Sequence, residues 1–428
     1  MRDLLVTLIV FGALPFVLTR THLGILLWSW IGYMNPHRLG WGFAFNFPFA
    51  LVIALATFCS LIFSKRKLEF FWSPILGWLI FFNIWMVITT YFSLQPEDSL
   101  FQLEKVIKIQ LIIFLTLWVM NDREKIHSLI WVIVVSIGFY GVKGGIFTIV
   151  SGGGTHVLGP TGSFISGNTE IGLALVMILP LIWYLYLNVH KVWIRYALLC
   201  SMFLIAIGIL GTQSRGALLA IVAASSFLWL KSRKKGLLFV AMLLLVPFFY
   251  MFMPESWHTR MHTISTYSED QSAMGRIQAW TFAYELALAR PFVGGGFECF
   301  NSDNYERFTP GLVTEGTGKY HDVHSIYFEV LGEHGFIGLL AFLILFFLAW
   351  KTANKIIKLT KSSTEQKWAH DLASMTQVSI VGYGVGGAFL GLAYFDLFYH
   401  LVVILALVLR IIETQLAATP KLDTTKIC

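Results

Sequence analysis

Lys105 and Lys108 stand one turn apart at the start of an apolar stretch, and Lys143 lies near the end of another, in Gly-Val-Lys-Gly-Gly. Arg215 follows the apolar run 193–211 in Thr-Gln-Ser-Arg-Gly, and Arg276 and Arg290 flank the segment 275–290. A charge bordering a long apolar run is costly, so each of these is a candidate site residue. Brought together, guanidinium and ammonium groups suit a diphosphate. Arg grips phosphate oxygens through a planar fork that stays charged. A diphosphate leaving a sugar gains negative charge as the bond breaks, so such cations favour the transition state over the ground state. The competing reading is that each snorkels separately to lipid headgroups. Magnesium would do similar work but wants gathered carboxylates. Glu269 adjoins Asp270, but Asp303, Glu306 and Glu315 are scattered. The expectation is a site with no metal and no cofactor.

The second constellation is His321-Asp322-Val323-His324, just before the apolar run 325–349. Imidazole near its free pKa can take a proton from a hydroxyl at neutral pH. At the mouth of a helix, such a base would meet both a lipid-borne donor and an outside acceptor. Either His321 or His324 could be that base, or each could be a solvated loop residue. Zinc would need further ligands that the surroundings do not offer. Glu329 and Glu333 follow one turn apart. They could orient a base, pair with an arginine, or form a buried structural pair.

The elements that must position these residues are membrane spans. Of 428 residues 57% are apolar and 13% charged, and the mean hydropathy is +0.71. Soluble domains carry about a quarter charged residues. The net charge of +7 reads as cytoplasmic loops facing anionic lipid, not as a nucleic-acid footprint. Cys59, Cys200, Cys299 and Cys428 show no disulfide or metal spacing. The opening Met1-Arg2-Asp3 and its apolar run lack a small-residue cleavage site, so a retained first helix is expected.

A span needs about 20 apolar residues. Candidates lie near 3–19, 46–64, 74–93, 103–120, 127–150, 169–189, 193–211, 216–231, 236–253, 325–349, 375–394 and 399–411, about twelve in all. The run 23–34 is short and is followed by Asn35-Pro36, so it reads as re-entrant or interfacial. With the N-terminus inside, Lys65 to Lys67, Arg123, Lys125, Lys191, Arg195, Lys231 to Lys235 and Lys351 to Lys367 fall in cytoplasmic loops. The loops 94–102, 151–168 and 395–398 contain no Lys or Arg, and Arg20 and Arg38 are the exceptions. This asymmetry places both termini in the cytoplasm.

The predicted organisation is an all-α integral membrane protein. A first bundle of about nine spans covers 1–253, a periplasmic loop 254–324, and the C-terminal spans with a cytoplasmic tail 325–428. Within the loop, Ile277, Trp280, Ala283, Tyr284 and Leu288 would form one stripe of an amphipathic helix ending at Pro291. A loop this long is usually functional or disordered.

Several of these residues together resemble the O-antigen ligase and polymerase superfamily. Gly275-Arg276, Trp280, Ala283, Pro291, Gly294 and Gly296 are similar to its first block. His324-Ser325-Ile326-Tyr327, with Leu331, Glu333, Gly335 and Gly338, is similar to its second, where Ser325 replaces the usual Asn. Ser214-Arg215-Gly216 resembles its mid-chain arginine element. Met1-Arg2-Asp3-Leu4-Leu5 and Met34-Asn35-Pro36-His37-Arg38 resemble the exosortase-associated branch of O-glycosylation ligases. The resemblance implies transfer of a glycan from undecaprenyl diphosphate to lipid A–core oligosaccharide, outside the bacterial inner membrane and without metal.

By position it makes His324 the general base and has Arg215 and Arg276 hold the diphosphate. Arg290, Lys105 and Lys108 would assist, with His321, Glu333, Tyr327 and Trp280 in support. Inversion at the anomeric carbon is expected. A polymerase joining donor units, or a ligase acting on Ser or Thr of secreted proteins, would share these motifs. A transporter is the rival of another class, but it would place charges and broken helices at the midplane in repeated halves.

Overall fold

The computed structural model describes residues 1–63, 71–232, 271–311 and 320–418, with isolated positions between 235 and 258. Lys65 to Lys67 and most of the expected span 236–253 lie outside the described residues. The chain folds into α1 (Arg2–Thr19), α2 (Thr21–Met34), α3 (Phe49–Phe63), α4 (Pro74–Tyr91), α5 (Pro96–Val119), α6 (Arg123–Val150) and α7 (Asn168–Asn188). It continues through α8 (Val192–Gly211), α9 (Arg215–Lys231), α10 (Gln271–Ala289), α11 (Ser302–Phe308), α12 (Ile326–Leu359), α13 (Lys367–Gly386) and α14 (Asp396–Ala418). Among the described residues there is no strand. Helices are the economical solution in lipid, because each satisfies its own backbone polar groups.

Local sequence starts several of these helices. Ser73 accepts a hydrogen bond from the Leu76 N–H ahead of Pro74 at the first helical position, Asp122 from Lys125 and Ser214 from Ala217. These side chains satisfy donors that a helix N-terminus leaves open. Among the described residues, seven helices are long and apolar enough to cross a membrane: α1, α4, α6, α7, α8, α12 and α14, with α3 a shorter apolar helix. Charged residues interrupt the hydropathy of α5 (Glu97, Asp98, Glu104, Lys105, Lys108) and α13 (Lys367, Asp371). Both nonetheless pack within the same bundle.

Side-chain contacts define two faces. On one, the Arg2 guanidinium donates to the Leu39 carbonyl at 3.1 Å and Asp3 accepts from the Gly42 N–H at 3.2 Å. Arg38 lies against Gly162 in the loop after α6. Met253 and Pro254 stand beside Gly153 in that loop. On the other face, Thr21 bonds Ser60 at 2.8 Å, Lys355 pairs with Glu413 at 2.5 Å, Arg123 covers the Trp368 ring and Arg410 covers Phe71.

Helix α2 contains the run 23–34, expected from its length to be re-entrant or interfacial. It begins beside the end of α3 and finishes where the Tyr140 hydroxyl donates to the Met34 carbonyl. Fourteen residues span only about 21 Å, below the usual requirement for a lipid-facing span. The helix is packed between neighbours: a methyl group on Gly24 would stand 2.1 Å from Thr57 Oγ1. Arg2 and Asp3 share the face of the 151–168 loop. Helix α14 starts there, where His400 meets Tyr33 at 2.7 Å, and ends on the far side, beside Lys355.

Most helices share one core, whereas α1 to α3 pack a separate cluster around Val6, Val10, Val17, Leu27, Ile31, Phe49 and Ile53. Helix α10 crosses the first face over α12. It is apolar on two sides, so the single predicted stripe splits. Ala283 is buried with Ala279, Phe282, Leu286 and Ala287, Trp280 is half-buried, and Ile277, Tyr284 and Leu288 are exposed.

Candidate active site

Gly335 breaks α12 two residues after Glu333, with φ of 67° and ψ of −170°, a conformation glycine adopts without steric cost. The break frees backbone groups, and the turn after α10 takes them. Gly295 N–H donates to the Gly332 carbonyl at 2.8 Å, Gly296 N–H to Glu333 at 2.9 Å, and Phe336 N–H to Pro291 at 2.9 Å. The fit is close enough to exclude side chains. A methyl group on Gly294 would lie 2.5 Å from the Gly332 oxygen, and one on Gly296 2.2 Å from Ser93 Cβ. The glycines of the two motif blocks are therefore one joint.

Below the joint runs a buried polar chain. Glu333 accepts the Glu298 N–H at 3.0 Å and the Tyr394 hydroxyl at 2.5 Å. His334 meets that hydroxyl through Nε2 at 2.8 Å and Thr89 through Nδ1 at 2.7 Å, while Trp85 donates to the His334 carbonyl. Four segments are tied in this way: α4, the 297–299 turn, α12 and the strand-like link before α14. Tyr394→Phe leaves Glu333 and His334 each short of a partner inside the protein. The expected loss is about 2–3 kcal/mol of stability, read as a lowered unfolding midpoint in detergent. An unchanged midpoint would remove this chain from the account of the fold.

The chain holds Glu298 in a left-handed backbone conformation, φ 57°. Its neighbours Phe297 and Cys299 are fully buried, so the turn is anchored on both sides and the Glu298 side chain is turned outward. Partial desolvation raises its carboxyl above the usual range, and Asp322 adds to that while Lys105 opposes it. Glu298, Asp322 and Lys105 are thus electrostatic neighbours.

Asp322 belongs to the stretch leading into α12. His321 packs on α10, where a methyl group on Gly275 would stand 2.8 Å from its Nδ1. Its carbonyl accepts the Tyr305 hydroxyl at 2.8 Å. Trp280 donates to the Val323 carbonyl at 2.9 Å and stacks on Phe328 at 5.2 Å. Between these clamps His324 is half-buried and left-handed, φ 40°. A residue with a Cβ avoids this region at a cost of roughly 1–2 kcal/mol, and such strain gathers at functional sites. Gln213, two residues before Arg215, shares the left-handed conformation at φ 52°.

The same wall reaches Arg215. Trp280 also meets Phe389 at 6.3 Å, and a methyl group on Gly216 would lie 3.4 Å from Phe389 Cβ. Asn168 donates to the Thr212 carbonyl and Gln213 to the Gly153 carbonyl, fixing the turn that presents Arg215. Gly275 and Gly216, the chain neighbours of Arg276 and Arg215, therefore border the wall that carries His324. Tyr327 supports it from behind by donating to the Gly384 carbonyl at 2.8 Å.

Other predicted cations stand apart. Lys108 is exposed and paired with Glu104 at 2.5 Å. Lys105 bonds Gln102 at 3.1 Å and covers the Phe101 ring. Arg290 lies fourteen residues beyond Arg276 on one helix, about 21 Å along its axis, and donates to the Phe92 carbonyl. Glu298, Tyr394, His334 and Thr89 had no sequence signal, since each acquires its place only across long stretches of chain.

Residues 200–343 match the family model described as O-Antigen ligase, and residues 1–190 match a family of unknown function, DUF5935. No curated protein matches. The first match supports an O-antigen ligase-like superfamily reading for the stretch that holds Arg215, Arg276 and His324.

Proposed function

We propose that this protein transfers a glycan from undecaprenyl diphosphate to a hydroxyl of lipid A–core oligosaccharide, on the periplasmic face of the inner membrane. The observation that carries this reading is His324, held left-handed at φ 40° between the Trp280 bond to the Val323 carbonyl and the Tyr305 bond to the His321 carbonyl. His324 takes the proton of the acceptor hydroxyl. The acceptor oxygen bonds the anomeric carbon as the carbon–oxygen bond to diphosphate breaks. The bonding pair leaves on the diphosphate, where Arg215 and Arg276 meet the growing charge. Attack opposite the leaving group inverts the anomeric centre. The guanidinium pair supplies the charge stabilisation that a metal would otherwise give.

The test is reconstitution with undecaprenyl-diphosphate glycan, rough lipopolysaccharide and EDTA. A glycan ladder on lipid A–core with inverted linkage by NMR is expected. Growth of the glycan on the lipid carrier alone would replace ligation by polymerisation. Transfer only to Ser or Thr of a protein would replace the acceptor. Retained configuration would overturn the single-displacement step.

A further inference from the structure

At the far end of α10 from Arg276, two guanidiniums face the same surface without a counter-charge. Arg290 is half-buried, and Arg307 is exposed on α11. Both border one apolar cluster, in which Phe308 beside Arg307 joins Leu94 and Leu286, one turn before Arg290. Arg307 also helps hold the Arg290 guanidinium below its usual pKa, after desolvation as the larger cause. Among the described residues, no carboxylate forms an ion pair with either one. Each is held in place by other means. Arg290 donates to the Phe92 carbonyl, and Arg307 lies over the Phe308 ring at 5.2 Å. Helices α10 and α11 are locked together by the Phe282–Tyr305 stack, with centroids 4.1 Å apart. Bringing two like charges together costs energy, and neither the Phe92 carbonyl nor the Phe308 ring neutralises them.

The surroundings indicate where a neutralising anion would come from. Phe292 (66% exposed), Phe92 (52%), Leu288 (52%) and Tyr91 (83%) lie around Arg290. Exposed aromatic and apolar side chains with basic heads among them are the composition of a headgroup-level lipid surface. Arg290 cannot share one diphosphate with Arg276, because about 21 Å of helix separates them.

We propose that Arg290 and Arg307 form a second anion site, binding the phosphate of a lipid headgroup beside the reaction wall. The site is separate from the Arg215–Arg276 pair. Its phosphate is that of a bilayer lipid or of a phosphorylated glycolipid. Bidentate guanidinium contacts suit a phosphomonoester with its spare oxygens.

The test uses the full-length protein in detergent, with native mass spectrometry counting retained lipid. Phosphatidic acid and phosphatidylcholine are the lipid probes, and inorganic pyrophosphate is the competitor. The proposal expects retention of phosphatidic acid over phosphatidylcholine, weakened about tenfold in Arg307→Gln and again in Arg290→Gln. Failure of pyrophosphate to displace the lipid assigns the site to bilayer lipid. Displacement by pyrophosphate assigns it to phosphate groups generally, including those of a glycolipid. Equal retention by wild type and both variants, or equal retention of the two lipids, overturns the proposal. Arg307→Gln changes an exposed residue, so its thermal midpoint should stay at the wild-type value and separate lost binding from lost fold. None of these readouts depends on glycan transfer, so the result stands whether or not ligation is observed.

Discussion

Replacing His324 by Asn is expected to lower glycan transfer by on the order of 10²–10⁴-fold, the usual contribution of a positioned general base. Asn is the informative substitution because the backbone here is left-handed, φ 40°, and Asn tolerates that conformation better than most residues. It removes the base while keeping the turn. His324→Ala adds strain of about 1 kcal/mol, too little to mimic a catalytic loss. The neighbouring clamps persist in the variant, since the Trp280 bond to the Val323 carbonyl and the Tyr305 bond to the His321 carbonyl do not involve the His324 ring. Transfer should therefore fall while the unfolding midpoint holds. The same loss from His321→Asn, with His324→Asn active, would move the base by one turn of chain. Activity retained in both would end the base-catalysed reading.

Gly335→Ala is expected to cause a large loss of stability. Its Cβ would stand 2.5 Å from the Phe292 oxygen and 2.7 Å from the Pro291 oxygen. Both belong to backbone, which cannot swing aside as a side-chain tip can. The Pro291 oxygen already accepts the Phe336 N–H at 2.9 Å. Overpacking of this kind costs about 1–3 kcal/mol, and the left-handed conformation adds about 1–2 kcal/mol. Together that is about 3 kcal/mol or more. The control is Gly12→Ala in α1, where a methyl group meets nothing within 4 Å and helix propensity favours Ala by up to about 1 kcal/mol. Thermal unfolding in detergent should separate the two variants widely. Equal midpoints would mean that the α12 break does not depend on the 291–296 turn.

The two substitutions act on one mechanical unit. The α12 break receives the Gly294–Gly296 turn, Glu333 beside the break holds the Glu298 N–H, and the next buried residue, His334, reaches α4 through Thr89. A shift of the joint moves the turn that carries Glu298 and, through α10, the surface on which His321 rests. Activity in Gly335→Ala should consequently fall further than the folded fraction does.

The helical class, the membrane solvent and the candidate residues were legible in the chain, because they rest on local properties. Apolar run length marks α4, α6, α7, α8, α12 and α14. Ser73, Asp122 and Ser214 mark helix starts. The motif glycines were legible as a pattern, though not as a joint. Run length left 23–34 short of a span, and α2 is a fourteen-residue helix packed between neighbours. A shared side of the membrane does not make Arg276 and Arg290 neighbours. Helix rise separates them, and Arg290 stands instead near the apolar cluster shared with α11, which no spacing had singled out.

The sequence alone thus determined that the chain is a bundle of apolar helices, where its exposed cations fall, and which histidine and arginines belong to the superfamily motifs. These follow from residue type and short-range periodicity. Only the tertiary structure decided that Glu333, Tyr394 and His334 form one buried chain, that α2 packs among α1, α3 and α6, and that the glycines of the 294–296 turn meet the α12 break. Those outcomes depend on packing between residues distant in sequence, where a hydrogen bond or a missing Cβ selects one arrangement among many with the same periodicity.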